Sequence, residues 1–197
     1  MTNSKQRKQR WVALFSQTGS EIVAISKVLN RYPDYIFTNK KEDSSTKTVE
    51  ELVSLLDKDT NTPLVRKLPE FKQNEFDYEK VFQESDLITL HGYLRIIPAS
   101  ICQRFEIYNG HPGLITMYPD LKGKDPQEKA FSKSLKVVGS IVHRCTAELD
   151  NGPVYTAISK SINSSSTLRE TYYNTLKETS IEAWISFFKG NYPDLFN

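Results

Sequence analysis

The stretch WVALFSQTGSEIVAISKVLN, residues 11–30, decides how the chain starts to fold. Trp11–Phe15 is a short apolar run suited to a strand, and SQTGSE after it reads as a tight glycine-containing turn. From Glu21 the apolar residues Ile22, Val23, Ile25, Val28 and Leu29 recur near helical spacing. Strand, turn and helix in that order open a βαβ unit.

The same alternation continues outward. Tyr35–Thr38 reads as a second strand, followed by the polar loop NKKEDSSTK. Thr48 and Glu51 form a capping-box pattern that predicts a helix over VEELVSLL. PLVRKL (63–68) is an expected third strand, residues 75–84 a third helix, and LITL (87–90) a fourth strand ending in HGYLR. A short helix over 98–105 leads to the brief strand EIYN, 106–109. VVGSIVHRC (137–145) and VYTAI (154–158) read as two further strands. A second capping box, Thr167 with Glu170, starts a helix running to Gly190, with Pro193 as its stop and Tyr172, Tyr173, Trp184 and Phe187 as its core face. The fold class that follows is α/β, a Rossmann-like, mainly parallel sheet with helices on both faces. Such sheets bind ligands at the carboxyl ends of their strands.

Composition narrows the class. The 197 residues, 38% hydrophobic and 11% aromatic, suit one globular domain, read as 11–197 after a basic tail of 1–10. That tail, MTNSKQRKQR, has no apolar segment of secretory type. A net charge of +2 is too small to argue for a nucleic-acid or membrane-surface partner. No run approaches the roughly 18–20 apolar residues of a membrane span. Cys102 and Cys145 have no metal-type spacing and fit reduced thiols in a cytoplasmic protein.

Three histidines remain to be placed. His111 lies in YNGHPGLITMYPDLKG, residues 108–123. Pro112 biases it towards an extended conformation, and Asn109 projects to the same side if the strand continues that far. An amide donor and an imidazole side by side can polarise one carbonyl oxygen. Taken alone, the segment fits a loop histidine with a local hydrogen bond better. Asp150 begins the turn Asp-Asn-Gly-Pro, a common structural turn. Were it near His111, its charge would favour the imidazolium and raise its pKa. His143 reads as packed inside a strand, and His91 as a residue lining a pocket without a catalytic role. No two of the three have metal-ligand spacing, so no metal is expected.

The order of these segments carries a resemblance. YNGHPGLITMYPDLKG, followed about thirty residues later by GSIVHRCTAELDNGPV, resembles the formyltransferase family that uses 10-formyltetrahydrofolate. That family includes glycinamide ribonucleotide transformylase, the catalytic domain of methionyl-tRNA formyltransferase, and amino-sugar N-formyltransferases. The similarity runs from about Trp11 to Ile162, and in size the chain is most like the glycinamide ribonucleotide enzyme. It implies a catalytic trio of Asn109, His111 and Asp150, and folate contacts from Leu94, Arg95, Ile96 and Ile97 in LHGYLRII. It further implies 10-formyltetrahydrofolate as co-substrate and a small-molecule primary amine as acceptor. Asn109 and His111 would stabilise the oxyanion formed when the amine attacks, while Asp150 keeps His111 charged and oriented. Gly19, Ser20 and Glu21 would contact the acceptor.

Two departures bear on that acceptor. Glu21 stands where the ribonucleotide transformylases of the family have an asparagine, in a turn such as SGNGSN, and a carboxylate there would repel a phosphate at short range. Gly110, Gly113, Asp120, Lys122 and Lys124 depart in the region expected to face the acceptor. A hydrolase that passes the formyl group to water, and a non-catalytic folate- or nucleotide-binding module, are the rival readings. Dependence on an amine separates the first. The intact trio speaks against the second. Nothing in the sequence marks an oligomeric interface.

Overall fold

A computed structural model describes residues 9–41, 44–68, 75–163 and 168–196. The strands are β1 (Trp11–Phe15), β2 (Tyr35–Thr38), β3 (Val65–Lys67), β4 (Leu87–His91), β5 (Ile107–His111), β6 (Val137–Arg144) and β7 (Val154–Ser161). The helices are α1 (Ser20–Leu29), α2 (Glu50–Val53), α3 (Glu75–Val81), α4 (Ala99–Arg104), α5 (Pro126–Ser132), α6 (Arg169–Asn191) and α7 (Pro193–Phe196).

One seven-stranded sheet has the order β3-β2-β1-β4-β5-β6-β7. Pairing is parallel from β3 through β5, and β6 and β7 join as antiparallel strands. β1 alternates strictly between the faces while remaining fully buried. Val12 and Leu14 join Tyr78 of α3 and Ile101 and Cys102 of α4 in one core. Trp11 joins Ile25 of α1 and Trp184, Phe187 and Phe188 of α6 in the other. Both faces are thus covered, which explains the unbroken apolar run.

Several expectations change. The capping box at Thr48 is absent: Val49 is the N-cap residue of a four-residue α2, with no side-chain cap bond. Glu51 instead pairs with Lys27, and Thr48 accepts a long bond from Lys40. The helix ends early because the chain turns into a bridge between Leu56 and Pro63. Thr167 of the second capping box and most of the basic tail lie outside the described residues. Arg10, however, is anchored to Asp86 by two bonds of 2.7 Å. The short 3₁₀ turn Pro119–Leu121 and α5 were not anticipated, because their short apolar patterns give little periodicity. Tyr173 is 37% exposed rather than core, its hydroxyl donating to Glu128 of α5.

Candidate active site at the carboxyl ends of the strands

β5 extends through His111, so Asn109 and His111 lie on one side of the strand. Gly110 between them faces the opposite side. A Cβ there would stand 2.4 Å from Nε1 of the fully buried Trp184. This glycine therefore admits the α6 tryptophan. Gly113 folds back over the imidazole, its Cβ position 3.2 Å from His111 Nε2.

The hairpin between β6 and β7 brings Asp150 to this strand end. Arg144 N donates to Pro153 O at 2.9 Å, closing the hairpin's base. Gly152 is obligatory there, since a Cβ would lie 1.8 Å from the Arg144 carbonyl oxygen. Asp150 itself takes a left-handed conformation, φ 50°, which aspartate tolerates better than most residues. Its Oδ2 accepts Gly123 N–H at 2.8 Å and stands 3.4 Å from His111 Nδ1. Both side chains are 5% exposed.

His143 is the residue that sequence reasoning missed. It is buried, as expected of a packed histidine, but lies between Asn109 and Asp150. Its Nδ1 meets the Arg144 carbonyl at 3.0 Å, leaving Nε2 3.2 Å from Asn109 Nδ2 and 3.5 Å from Asp150 Oδ1. With Nδ1–H donated to the carbonyl, a neutral His143 accepts one amide N–H of Asn109. The second N–H is left for a ligand. The register Asn109↔His143 makes this a cross-strand pair, which only the unknown strand pairing could have disclosed.

Electrostatics here runs against one expectation. Burial pushes the His111 pKa down, and the Asp150 charge and the Leu121 carbonyl only partly restore it. The net direction is below the ordinary histidine value, not above it. Nε2 stands 3.0 Å from Leu121 O, so oxygen acceptors face both ring nitrogens and oppose the burial effect. For Asp150, burial raises the pKa. The neighbouring imidazoles of His143 and His111 and the Gly123 N–H together outweigh it and hold the carboxyl below its usual range.

Next to this cluster is the loop after β4. Gly92 adopts φ 59°, and Leu94 N–H donates to Ser16 Oγ at 2.8 Å. Leu94 (68% exposed) and Ile96 (67%) form an open apolar ledge with exposed Arg95 between them. Ile97 turns into the core, and Tyr93 is buried with its hydroxyl 3.0 Å from that of Tyr78. Across β1, Gly19 takes φ 73°, a Cβ there falling 2.4 Å from Leu52 Cδ2. Ser20 N–H donates to Thr18 Oγ1 at 3.2 Å. Glu21 is turned inwards: Oε2 meets His91 Nδ1 at 2.8 Å and Oε1 accepts the Ser180 hydroxyl at 2.5 Å. Among the described residues, no group of three or more His, Cys, Asp or Glu side chains is arranged to hold a metal ion. Nor is any helix long and apolar enough to cross a membrane.

Comparison with known proteins adds a lineage to this geometry. The sequence model of the family described as "Formyl transferase" matches residues 2–187. Formyltetrahydrofolate deformylase 2, mitochondrial, of Arabidopsis thaliana is 27% identical over 106 residues, 52% of this chain and 31% of that protein. The chain thus spans about a third or less of the curated relatives it matches. Among solved structures, phosphoribosylglycinamide formyltransferase from Anaplasma phagocytophilum superposes with a TM-score of 0.73 at 21% identity, covering 93% of this chain and 86% of that one. Glycinamide ribonucleotide transformylase 1 from Geobacillus kaustophilus gives 0.73 at 20% identity, covering 96% and 99%. At such identities the two structures share the fold.

Proposed function

The chain belongs to the formyl transferase family, and we propose that it transfers a formyl group from 10-formyltetrahydrofolate to a primary amine of a small metabolite. The observation that carries this reading is the convergence of Asn109, His111 and Asp150 at the end of β5, beside the Leu94–Ile96 ledge. The ledge offers apolar surface and backbone for a flat heterocycle. The free amide N–H of Asn109 and the His111 ring address the formyl oxygen, where negative charge grows as the amine attacks. Asp150 offsets the burial of His111, so the ring can donate as that charge develops. Collapse of the adduct breaks the bond between the formyl carbon and N10, and the proton lost by the amine is matched by one gained at N10.

Hydrolysis is the second reading, since the curated relatives, each matched over a third or less of its length, are formyltetrahydrofolate deformylases. Release of deformylated folate from a 10-formylfolate analogue, with and without a panel of amines, separates the two. Transfer predicts release that requires one amine. It also predicts a loss of about 10²-fold or more in kcat for His111→Ala, the range for removing an oxyanion donor. Release without any amine would establish the hydrolase, and no binding of the analogue would overturn both.

A further inference from the structure

The sheet order reverses at β1, which lies between β2 and β4, so the crevice beyond β1 and β4 is the topological switch point. The last rung of that pairing joins Phe15 to His91. There His91, its side chain fully buried, meets Glu21 of the first turn of α1. The carboxylate keeps 23% of its side chain exposed.

The hydrogen bonds around this pair run in one direction. Trp11 Nε1–H donates to Thr89 Oγ1 at 2.8 Å, and Thr89 Oγ1 is 2.9 Å from His91 Nε2. The other acceptor within reach of the Thr89 hydroxyl, Val12 O, is 3.5 Å away. The shorter contact takes the threonine proton, making Nε2 an acceptor and Nδ1–H the donor to Glu21. In that tautomer every polar group of this relay has a partner, and the Glu21 carboxylate uses both oxygens as acceptors. His91 packs against Trp184 at 4.6 Å, and Ser180 of α6 fixes the other carboxylate oxygen. The charge is therefore held in place at the crevice, with acceptor capacity left on its exposed edge.

A glycine turn leading into a helix ordinarily favours an anion. Here a fixed carboxylate occupies its first turn, and Thr18 already takes the Ser20 amide. We propose that the Glu21–His91 pair is a specificity determinant that selects an acceptor whose far end bears hydrogen-bond donors, hydroxyl or ammonium, and rejects a phosphomonoester. This deepens the reading of the Gly19–Glu21 turn as an acceptor contact and rests on it.

Equilibrium binding to the full chain tests it without requiring turnover. The probes are glycinamide ribonucleotide, its dephosphorylated nucleoside, and the nucleoside with an ammonium in place of the phosphate. The native chain should bind either donor-bearing probe about tenfold or more tightly than the phosphate. The ranking of the two distinguishes hydroxyl from ammonium. Glu21→Gln, whose carbonyl can accept from His91 while its amide donates to Ser180 Oγ, removes the charge and should reverse the preference. Ser180→Ala, which keeps the charge, should retain it, showing that altered packing is not the cause. Tighter binding of the phosphate by the native chain, an unchanged ratio in Glu21→Gln, or no binding of any probe would overturn the proposal. Amine-independent release of folate would instead count against formyl transfer and leave the binding ratios as they are.

Discussion

His111 shows how one residue's neighbours compete. Asp150 lies 3.4 Å from the ring, yet burial dominates and the pKa falls below the ordinary 6.5. In the unfolded chain the ring takes up a proton near 6.5, while the native ring resists until a lower pH. Between those two values the unfolded state binds more protons, so the folded state loses stability as pH falls. His111→Gln should flatten that loss, measured as the difference in Tm from the native chain between about pH 7.5 and about pH 5.5. An identical slope in the two proteins would show that burial does not govern the ring. Asp150 acts in a separate, more acid window. Its lowered pKa contributes stability that is present above 3.8 and disappears as pH falls through the folded value. The sequence named Asn109, His111 and Asp150 but could not weigh desolvation against charge, because burial belongs to the packed state.

At the level of elements, β5 and α6 are coupled through Gly110. Trp184 is fully buried and occupies the volume that a side chain at the half-buried Gly110 would need. Gly110→Ala should therefore cost about 1–3 kcal/mol, the range for overpacking a core. It should also lower kcat, since Asn109 and His111 flank the displaced backbone. Chemical denaturation and steady-state rates check both effects. Unchanged stability would mean that α6 slides to make room. The glycine was visible in the sequence as a departure, but the α6 tryptophan that packs over it was not. Likewise the Thr48–Glu51 spacing satisfied a capping rule whose residues were drawn off by Lys40 and Lys27. Local patterns name what a residue can do, and tertiary partners select among the possibilities.

Across the whole molecule, Arg10 ties the segment entering β1 to the start of β4. Both guanidinium–carboxylate bonds are 2.7 Å, and Asp86 also accepts Gln83 N–H at 2.8 Å. The Asp86 side chain is fully buried, whereas Arg10 keeps 22% of its side chain exposed. Asp86→Ala should therefore cost about 3 kcal/mol, the low end for breaking a buried pair. Urea denaturation should show a lower midpoint with an unchanged slope. A loss under about 0.5 kcal/mol would class the pair with ordinary surface ion pairs. The two central strands it joins are those whose ends form the crevice with Glu21 and His91.

The sequence by itself determined the α/β class, the position of nearly every strand, and the segments that meet at the strand ends. Those features follow from short-range periodicity, glycine and proline placement, and the order of motifs along the chain. Only the tertiary structure decided that His143 orients Asn109, that Gly110 seats Trp184, and that Glu21 turns to His91 and Ser180. Those contacts join residues 34 to 159 positions apart. Each depends on strand pairing, helix docking and loss of water, none of which a local pattern encodes.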